Sequence, residues 1–464
     1  MKYTEKEIIR IAQSAIGKKI GDYDKRNRLH NVRNKGSIGN VIQSGLFGLP
    51  ENSSSAPDFS EIGIELKVTP FRIIKSTNDK KYRYVAKERL SLHSINFDRD
   101  LNIPLRQSEL WKKCRKMLII FYEYCKNIPI DEFIISAVML WDIEKENQQI
   151  LENDWGIIQR FILEGKAQEI SEKYTSYIGA STKGKNAHDL VSQPMSDIQA
   201  ARRAYCLKQR YMTSIISNLM NNHTSQNSNM ELLEGEIDMS KTLIQNIQLR
   251  LESYYGKSSQ QLLDEFGIIA NGNDKGVYRR ITWAILNAES QSAKRDLDKA
   301  GIVVKTIRLE EDGTNREAMS FPAFSFVGIA KEEWKDSFIY NLFSQNTFLF
   351  VVYKKNGEHY SLLKSFFWKM PENDLNEKFK NVYMRTKEVI NNGVIFGEGS
   401  RVTNNLPKES ESSLAHVRPH AARASYTPLD PNADMLPDGR WMTKQCFFLN
   451  KSYVREIIKK NLGL

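Results

Sequence analysis

The sequence predicts an α/β protein of two tandem domains that share one fold, and three observations carry that expectation. Helix-period apolar spacing near the start gives way to short apolar runs of strand type. Three short patterns recur in the same order in the two halves. A polar stretch between the halves has little to bury. With 464 residues the chain is too long for one ordinary core, and a hydrophobic content of 41% is enough to fill two.

The elements follow in order. Thr4 can cap an opening helix, with Glu7 three residues on completing a capping box. Ile8, Ile9, Ala12, Ala15 and Ile16 then recur at helical spacing. After a basic, polar stretch over 22–36, the residues Gly39, Val41, Ile42, Leu46 and Phe47 predict a second, buried helix. Residues 50–57 are a loop signal. A strand is expected over Ile62–Val68, ended by Pro70, and further strands over Tyr82–Ala86, Met117–Tyr122 and Phe133–Leu140. The segment Ser217–Ser228, rich in Asn, Ser, His, Gln and Thr, marks the break. The expected division is a first domain over 1–220, a linker over 221–231 and a second domain over 232–464.

The repeat is read position by position. Asp58, Gly63, Ile64 and Lys67 match Asp296, Gly301, Ile302 and Lys305, with Val303 standing where the first half has Glu65. The run Met117–Tyr122 is echoed by Phe348–Tyr353, and Leu207–Ile216 by Leu449–Ile458. If the halves share a fold, the second has lost an acidic group.

Charge and cysteine usage narrow the function classes. A net charge of +11 favours polyanionic partners, because a basic field attracts phosphates and releases their counterions. Cys114, Cys125, Cys206 and Cys446 lie far apart with no CxxC pair, which argues against a zinc finger or a disulfide framework. The start lacks the apolar core of a signal peptide, and no apolar run is long enough to span a bilayer. A cytoplasmic protein without membrane attachment is expected. The chain has no G-x-G-x-x-G fingerprint, Walker loop or H-E-x-x-H, so the commoner cofactor enzymes are disfavoured.

The chemistry concentrates at Asp58, Glu65 and Lys67. Glu65 and Lys67 differ by two, so on a strand they project from one face. A carboxylate beside an ammonium, with a second carboxylate just upstream, can hold Mg²⁺ and orient water for phosphodiester hydrolysis. Ile64, Leu66 and Val68 would anchor the opposite face. Glu-x-Lys alone is weak: Glu164-Gly-Lys166 is a second copy, placed after a helical stretch rather than within a strand.

Lys35-Gly-Ser-Ile-Gly39-Asn-Val-Ile-Gln43 followed by Asp58, Gly63-Ile-Glu65-Leu-Lys67-Val-Thr-Pro70 resembles the MutH-related endonucleases of the PD-(D/E)xK superfamily. The resemblance continues through Trp111-Lys-Lys113, Thr182-Lys183-Gly-Lys185-Asn186 and Arg203-Ala-Tyr-Cys-Leu-Lys208, and so spans residues 1–220. The second half resembles the extra C-terminal domain of the two-domain, GATC-cutting type II restriction enzymes of that group. The resemblance implies two domains of mixed central sheet flanked by helices, the second catalytically degenerate. It also implies metal ligation by Asp58 and Glu65, and catalytic roles for Lys67 and Lys113. Gln43 falls where the family carries a glutamate, and an amide there brings no charge.

For DNA recognition the resemblance points to the loop at Lys183 and Lys185, and in the second half to Arg418 and His420. Ser181 departs from the arginine that MutH carries at this place. Lys208 and Arg210 are expected at the DNA backbone. The reading is a type II restriction endonuclease that makes Mg²⁺-dependent double-strand cuts at GATC, with the second domain binding DNA as effector. One intact site per chain implies that two chains meet on DNA, the free protein being a monomer. The alternatives are a MutH-like strand-nicking repair enzyme and a non-catalytic DNA-binding protein with a vestigial site.

Overall fold

The apolar run around Met117–Tyr122 lies at the centre of the first sheet, and the residues on both of its faces are buried. A computed structural model describes residues 3–463 apart from 30–35, 51–55, 76–81, 145–147, 184–188, 222–231, 234–237, 239–240, 271–275, 316, 398–402, 420–423 and 425. The chain forms two compact units. The first comprises residues 1–73, 84–246 and 290–301, and the second 74–83, 247–289 and 302–464.

In the first unit, β1 (Glu65–Lys75) pairs in parallel with β4 (Lys116–Glu123), flanked by β2 (Tyr82–Ala86) and by β5 (Ile135–Asp142) in the order β2-β1-β4-β5. The register sets Glu65 opposite Met117 and Lys67 opposite Ile119. Leu118, Ile120 and Tyr122 share a core with Ile64, Leu66 and the helix Glu5–Ser14, through its Ile8 and Ala12. Met117, Ile119 and Phe121 are just as buried on the other face, which is why this strand is apolar throughout rather than alternating. A second small sheet, β3 (Leu90–Ser94), β9 (Arg203–Leu207) and β6 (Ile178–Thr182), is antiparallel in the order β3-β9-β6. Between β6 and β9 run β7 (Leu190–Gln193) and β8 (Ser196–Ala201) as a hairpin pair.

The capping box of the first helix is present, Thr4 and Glu7 each bonding the other's backbone N–H. Pro70 does not end its strand. It stays in register opposite Tyr122, its carbonyl accepts from Lys87 N at 3.0 Å, and β1 continues to Lys75. Losing one N–H is tolerable where the remaining ladder holds the strand. The expected buried helix near Gly39 is Ser37–Val41 continued by the wide turn Ile42–Leu46.

In the second unit, β10 (Ile302–Leu309) pairs in parallel with β12 (Thr347–Asn356), which pairs antiparallel with β13 (His359–Trp368). Its small sheet has the order β11-β19-β16, with β11 Met319–Ala323, β16 Ala415–Pro419 and β19 Gln445–Leu449. The remaining strands are short pairs: β14 (Phe396–Gly397) with β15 (Thr403–Asn404), and β17 (Ala433–Met435) with β18 (Trp441–Thr443). Val303 lies opposite Phe348 and Lys305 opposite Phe350, the same steps as Glu65 opposite Met117 and Lys67 opposite Ile119. The core here is aromatic, with Phe343, Phe348, Phe350 and Phe379 fully buried.

Gly45 shows how closely the segment carrying Gln43 is packed. A Cβ at this position would stand 2.0 Å from the carbonyl oxygen of Tyr23. Gly45→Ala is therefore expected to destabilise the first unit by about 1–3 kcal/mol, an overpacking cost measurable as a lower urea midpoint at unchanged slope.

Candidate active site

A tight turn brings Asp58 back beside the start of β1. Phe59 N donates to Ile64 O at 2.9 Å and Ile64 N to Phe59 O at 3.3 Å, and Gly63 takes the left-handed conformation (φ 65°) that closes the turn. As a result Asp58 Oδ2 accepts from Leu66 N at 3.0 Å, and Asp58 N donates to Glu65 Oε2 at 3.2 Å. Two carboxylates seven residues apart in sequence become neighbours at one strand end.

Glu65 is 4% exposed, and its other oxygen faces two ammonium groups. Lys67 Nζ lies 3.0 Å from Glu65 Oε1 and Lys113 Nζ 3.7 Å from it. Lys113 arrives from the last turn of the helix Glu109–Cys114, which Ser108 caps through Trp111 N. Burial pushes the Glu65 carboxyl above its usual range, with Asp58 adding to that and the two lysines opposing it. Burial works against the Lys67 ammonium too. The charges around it, the Glu65 and Asp58 carboxylates among them, outweigh burial, so the Lys67 pKa is raised. The Cys114 thiol, buried against this cluster, is pushed up to about 12 and stays protonated at neutral pH.

Gln43 stands next to Asp58. Its Nε2 donates to Asp58 Oδ1 and to Pro50 O, both at 3.1 Å. Both neighbours only accept, so the amide presents its N–H groups and not its oxygen. Gln43 orients Asp58 without adding negative charge.

Strand β3 runs beside the lysines. Lys67 Nζ is 3.5 Å from Leu92 O, and Lys183 Nζ donates to Ser94 Oγ at 2.9 Å. Partial burial lowers the Lys183 pKa, and the fields of Lys67 and Lys113 lower it further. Burial, Lys113, Arg99 and Lys183 likewise hold His93 below its ordinary value, against Glu109. Lys183, Lys67 and Lys113 thus share one positive field, in which an anion would be stabilised.

Lys208 and Arg210 are engaged within the first unit. Lys208 Nζ donates to Glu172 O (2.8 Å) and Thr175 O (2.7 Å). Arg210 bonds the carboxylate and carbonyl of Asp298 at 2.9 and 3.1 Å, on the helix Gln291–Ala300. A DNA phosphate would have to displace those partners. Arg418, in β16, is exposed with its guanidinium 5.2 Å from the centre of the Phe448 ring. Lys185 and His420 lie outside the described residues. The second Glu-x-Lys is an exposed pair, Lys166 to Glu164 at 2.9 Å, beyond the end of the helix Gln148–Leu163.

Sequence reasoning missed Asp154. This acid is 1% exposed on the helix Gln148–Leu163 and accepts from Ser176, Tyr177 and Ile178 N at 2.7, 2.6 and 2.9 Å. Burial pushes it up to about 6, against those three amides and Lys208. Together Asp154 and Lys208 clamp the loop that starts β6, the strand leading to Lys183. The signal was available: Asp154 lies on the face that buries Leu151, Trp155 and Ile158, where an acid is out of place unless bonded.

Among the described residues no group of three or more His, Cys, Asp or Glu side chains is arranged to hold a metal ion. Two converging carboxylates nevertheless suit Mg²⁺, which takes one or two protein carboxylates and fills its other positions with water and substrate oxygens.

The chain was compared with known proteins. The family profile for the DNA mismatch repair enzyme MutH matches residues 47–154. The type II restriction enzyme Sau3AI of Staphylococcus aureus is 33% identical over 495 aligned positions, covering 98% of each chain. The MutH proteins of Actinobacillus pleuropneumoniae serotype 3 and Vibrio campbellii are 27% and 26% identical. Each alignment covers 40% of this chain and 80% or 78% of the relative.

Replacing Asp154 by Asn removes the charge and turns an N–H₂ toward amide donors. A stability loss on the order of 3 kcal/mol is expected, read from denaturant melts, with the β6 loop opening first in hydrogen exchange.

Proposed function

The chain belongs to the MutH-related type II restriction endonucleases, and we propose that it makes Mg²⁺-dependent double-strand cuts in DNA at GATC sites. The observation that carries this reading is the Asp58–Glu65–Lys67–Lys113 cluster, seated on a strand whose other face is locked into a core. Asp58 and Glu65 would hold the ion, and the ion would supply charge stabilisation on the phosphate and a more acidic water. Lys67, an ammonium whose proton the neighbouring carboxylates hold, acts as donor: it binds a phosphate oxygen and orients the attacking water. Lys113 adds a second donor from a separate element. Lys183, in their field, would reach the base edges or the adjacent phosphate, with Lys185 two residues on in sequence.

The match across 98% of each chain favours restriction over nicking, since the MutH proteins cover only 40% of this one. We read the second unit as a degenerate copy of the first, binding DNA as effector through Arg418 and His420. The parallel pair β10/β12, in the same register as β1/β4, supports that reading. Two chains would then meet on the palindrome, each contributing one intact site. We place the enzyme in the cytoplasm, where its substrate lies. Among the described residues no helix is long and apolar enough to cross a membrane.

Plasmid DNA with mapped GATC sites, incubated with Mg²⁺ or EDTA, tests the proposal with wild type beside Glu65→Ala. Linear fragments ending at GATC are expected, absent with EDTA and reduced by about 10²-fold or more in the variant. Nicked circles alone would assign strand nicking, and intact plasmid under salt-sensitive binding would leave a non-catalytic protein. The pH dependence has a defined sign. Glu65 must be ionised to bind metal and its carboxyl is raised by burial, so the acid limb of the rate should lie above that of an ordinary glutamate. Because proton and metal compete for the same oxygens, raising Mg²⁺ should move that limb to lower pH.

A further inference from the structure

The second unit keeps the strand lysine and lacks the carboxylates. Lys305 occupies on β10 the step that Lys67 occupies on β1, two residues after Val303 as Lys67 is two after Glu65. Its ammonium also reaches the corresponding neighbouring strand: Lys305 Nζ donates to Ser320 O of β11 at 2.8 Å, as Lys67 Nζ lies near Leu92 O of β3. The ammonium lies 4.6 Å from the centre of the Phe321 ring. The surroundings differ in sign. Val303 packs against the aromatic core. Asp296, aligned in sequence with Asp58, sits on the helix Gln291–Ala300 of the first unit, buried and accepting from Leu232 N.

Among the described residues no ion pair forms at Lys305, whereas Lys67 has Glu65 at 3.0 Å. The charged and titratable groups acting on it are Cys446 of β19 and Arg279 of the helix Val277–Ile285. Cys446, opposite Arg418 in the strand register, is pushed up to about 12 by burial and supplies no charge at neutral pH. Burial, with Arg279 adding to it, lowers Lys305 to about 8. A half-buried ammonium in the field of an exposed arginine, whose partners among the described residues are a carbonyl and a ring face, gains from an incoming anion.

We propose that Lys305, with Arg279, forms a metal-independent site for a phosphodiester oxygen of duplex DNA, at the position where the first unit holds its catalytic lysine. The proposal rests on the reading of the second unit as a DNA-binding effector copy, and gives that reading a specific anchor. Loss of the acid at position 303 removes the demand for a metal and reverses the local charge. The scaffold that binds phosphate through an ion in one unit binds it directly in the other.

The test uses the full chain in EDTA, where no cutting occurs, and a short GATC duplex followed by titration calorimetry across salt concentrations. Wild type is expected to bind duplex in two classes of site, a catalytic one shared by two chains and a second in the effector unit. Lys305→Met should weaken one of them about tenfold and lower its salt slope by about one, while Lys305→Arg restores both. Removing a half-buried charge that forms no ion pair among the described residues should leave the melting temperature nearly unchanged, so weaker binding at an unchanged melting temperature would not reflect unfolding. Two classes of site filled equally by wild type and Lys305→Met would overturn the Lys305 site and spare the effector reading. A single class of site on wild type would overturn both. Inorganic phosphate separates the ligand classes: if it stabilises wild type but not Lys305→Met, and the duplex distinguishes neither, the site takes free phosphate and the proposal fails.

Discussion

The carboxylate of Glu65 is taken out of water and held between two ammonium groups that arrive from different elements. Lys67 comes from the same strand face and Lys113 from the end of a helix. Neither group would be stable at that depth alone, because an unpaired buried charge costs several kcal/mol. The cluster therefore needs a rigid frame, and the frame is the parallel pair β1/β4. Its far side is sealed by Leu118, Ile120, Ile64 and Leu66. Fixing the strand on one face fixes where Glu65 and Lys67 point on the other. The turn closed by Gly63 then adds Asp58, and Gln43 orients it.

The two units carry the same parallel-pair register with opposite electrostatics. In the first, acids and lysines neutralise one another and leave the oxygens a divalent cation prefers. In the second, valine replaces the acid, and the lysine stands near an arginine. A strand frame is indifferent to this exchange because its stability comes from the apolar face and the backbone ladder. That indifference lets one strand arrangement carry both a mixed-charge and a purely basic version of the same step.

Much of the site was legible beforehand for a local reason. Residues two apart on a strand share a face whatever surrounds them, so Glu65 and Lys67 could be paired from spacing alone. The capping box at Thr4 and Glu7 was equally local. Pro70 was misjudged as a strand end because its effect depends on whether its absent N–H is needed, which the ladder decides. Lys208 and Arg210 read from the sequence as contacts to the DNA backbone. Their engagement by Glu172, Thr175 and Asp298 depends on chain segments 33 to 88 residues away.

By itself the sequence determined the residue types at the site, their common strand face, the order of the main elements and the valine two residues before Lys305. These follow from periodicity and spacing, which act over a few residues. The tertiary structure alone decided that Lys113 and Lys183 join Lys67 in one positive field, and that Asp154 and Lys208 clamp the loop leading to Lys183. It also decided that Asp296, aligned with Asp58, is buried on a helix of the first unit and accepts from Leu232 N. Burial, charge pairing and desolvation depend on which distant segments meet, and that information exists only once the chain has folded.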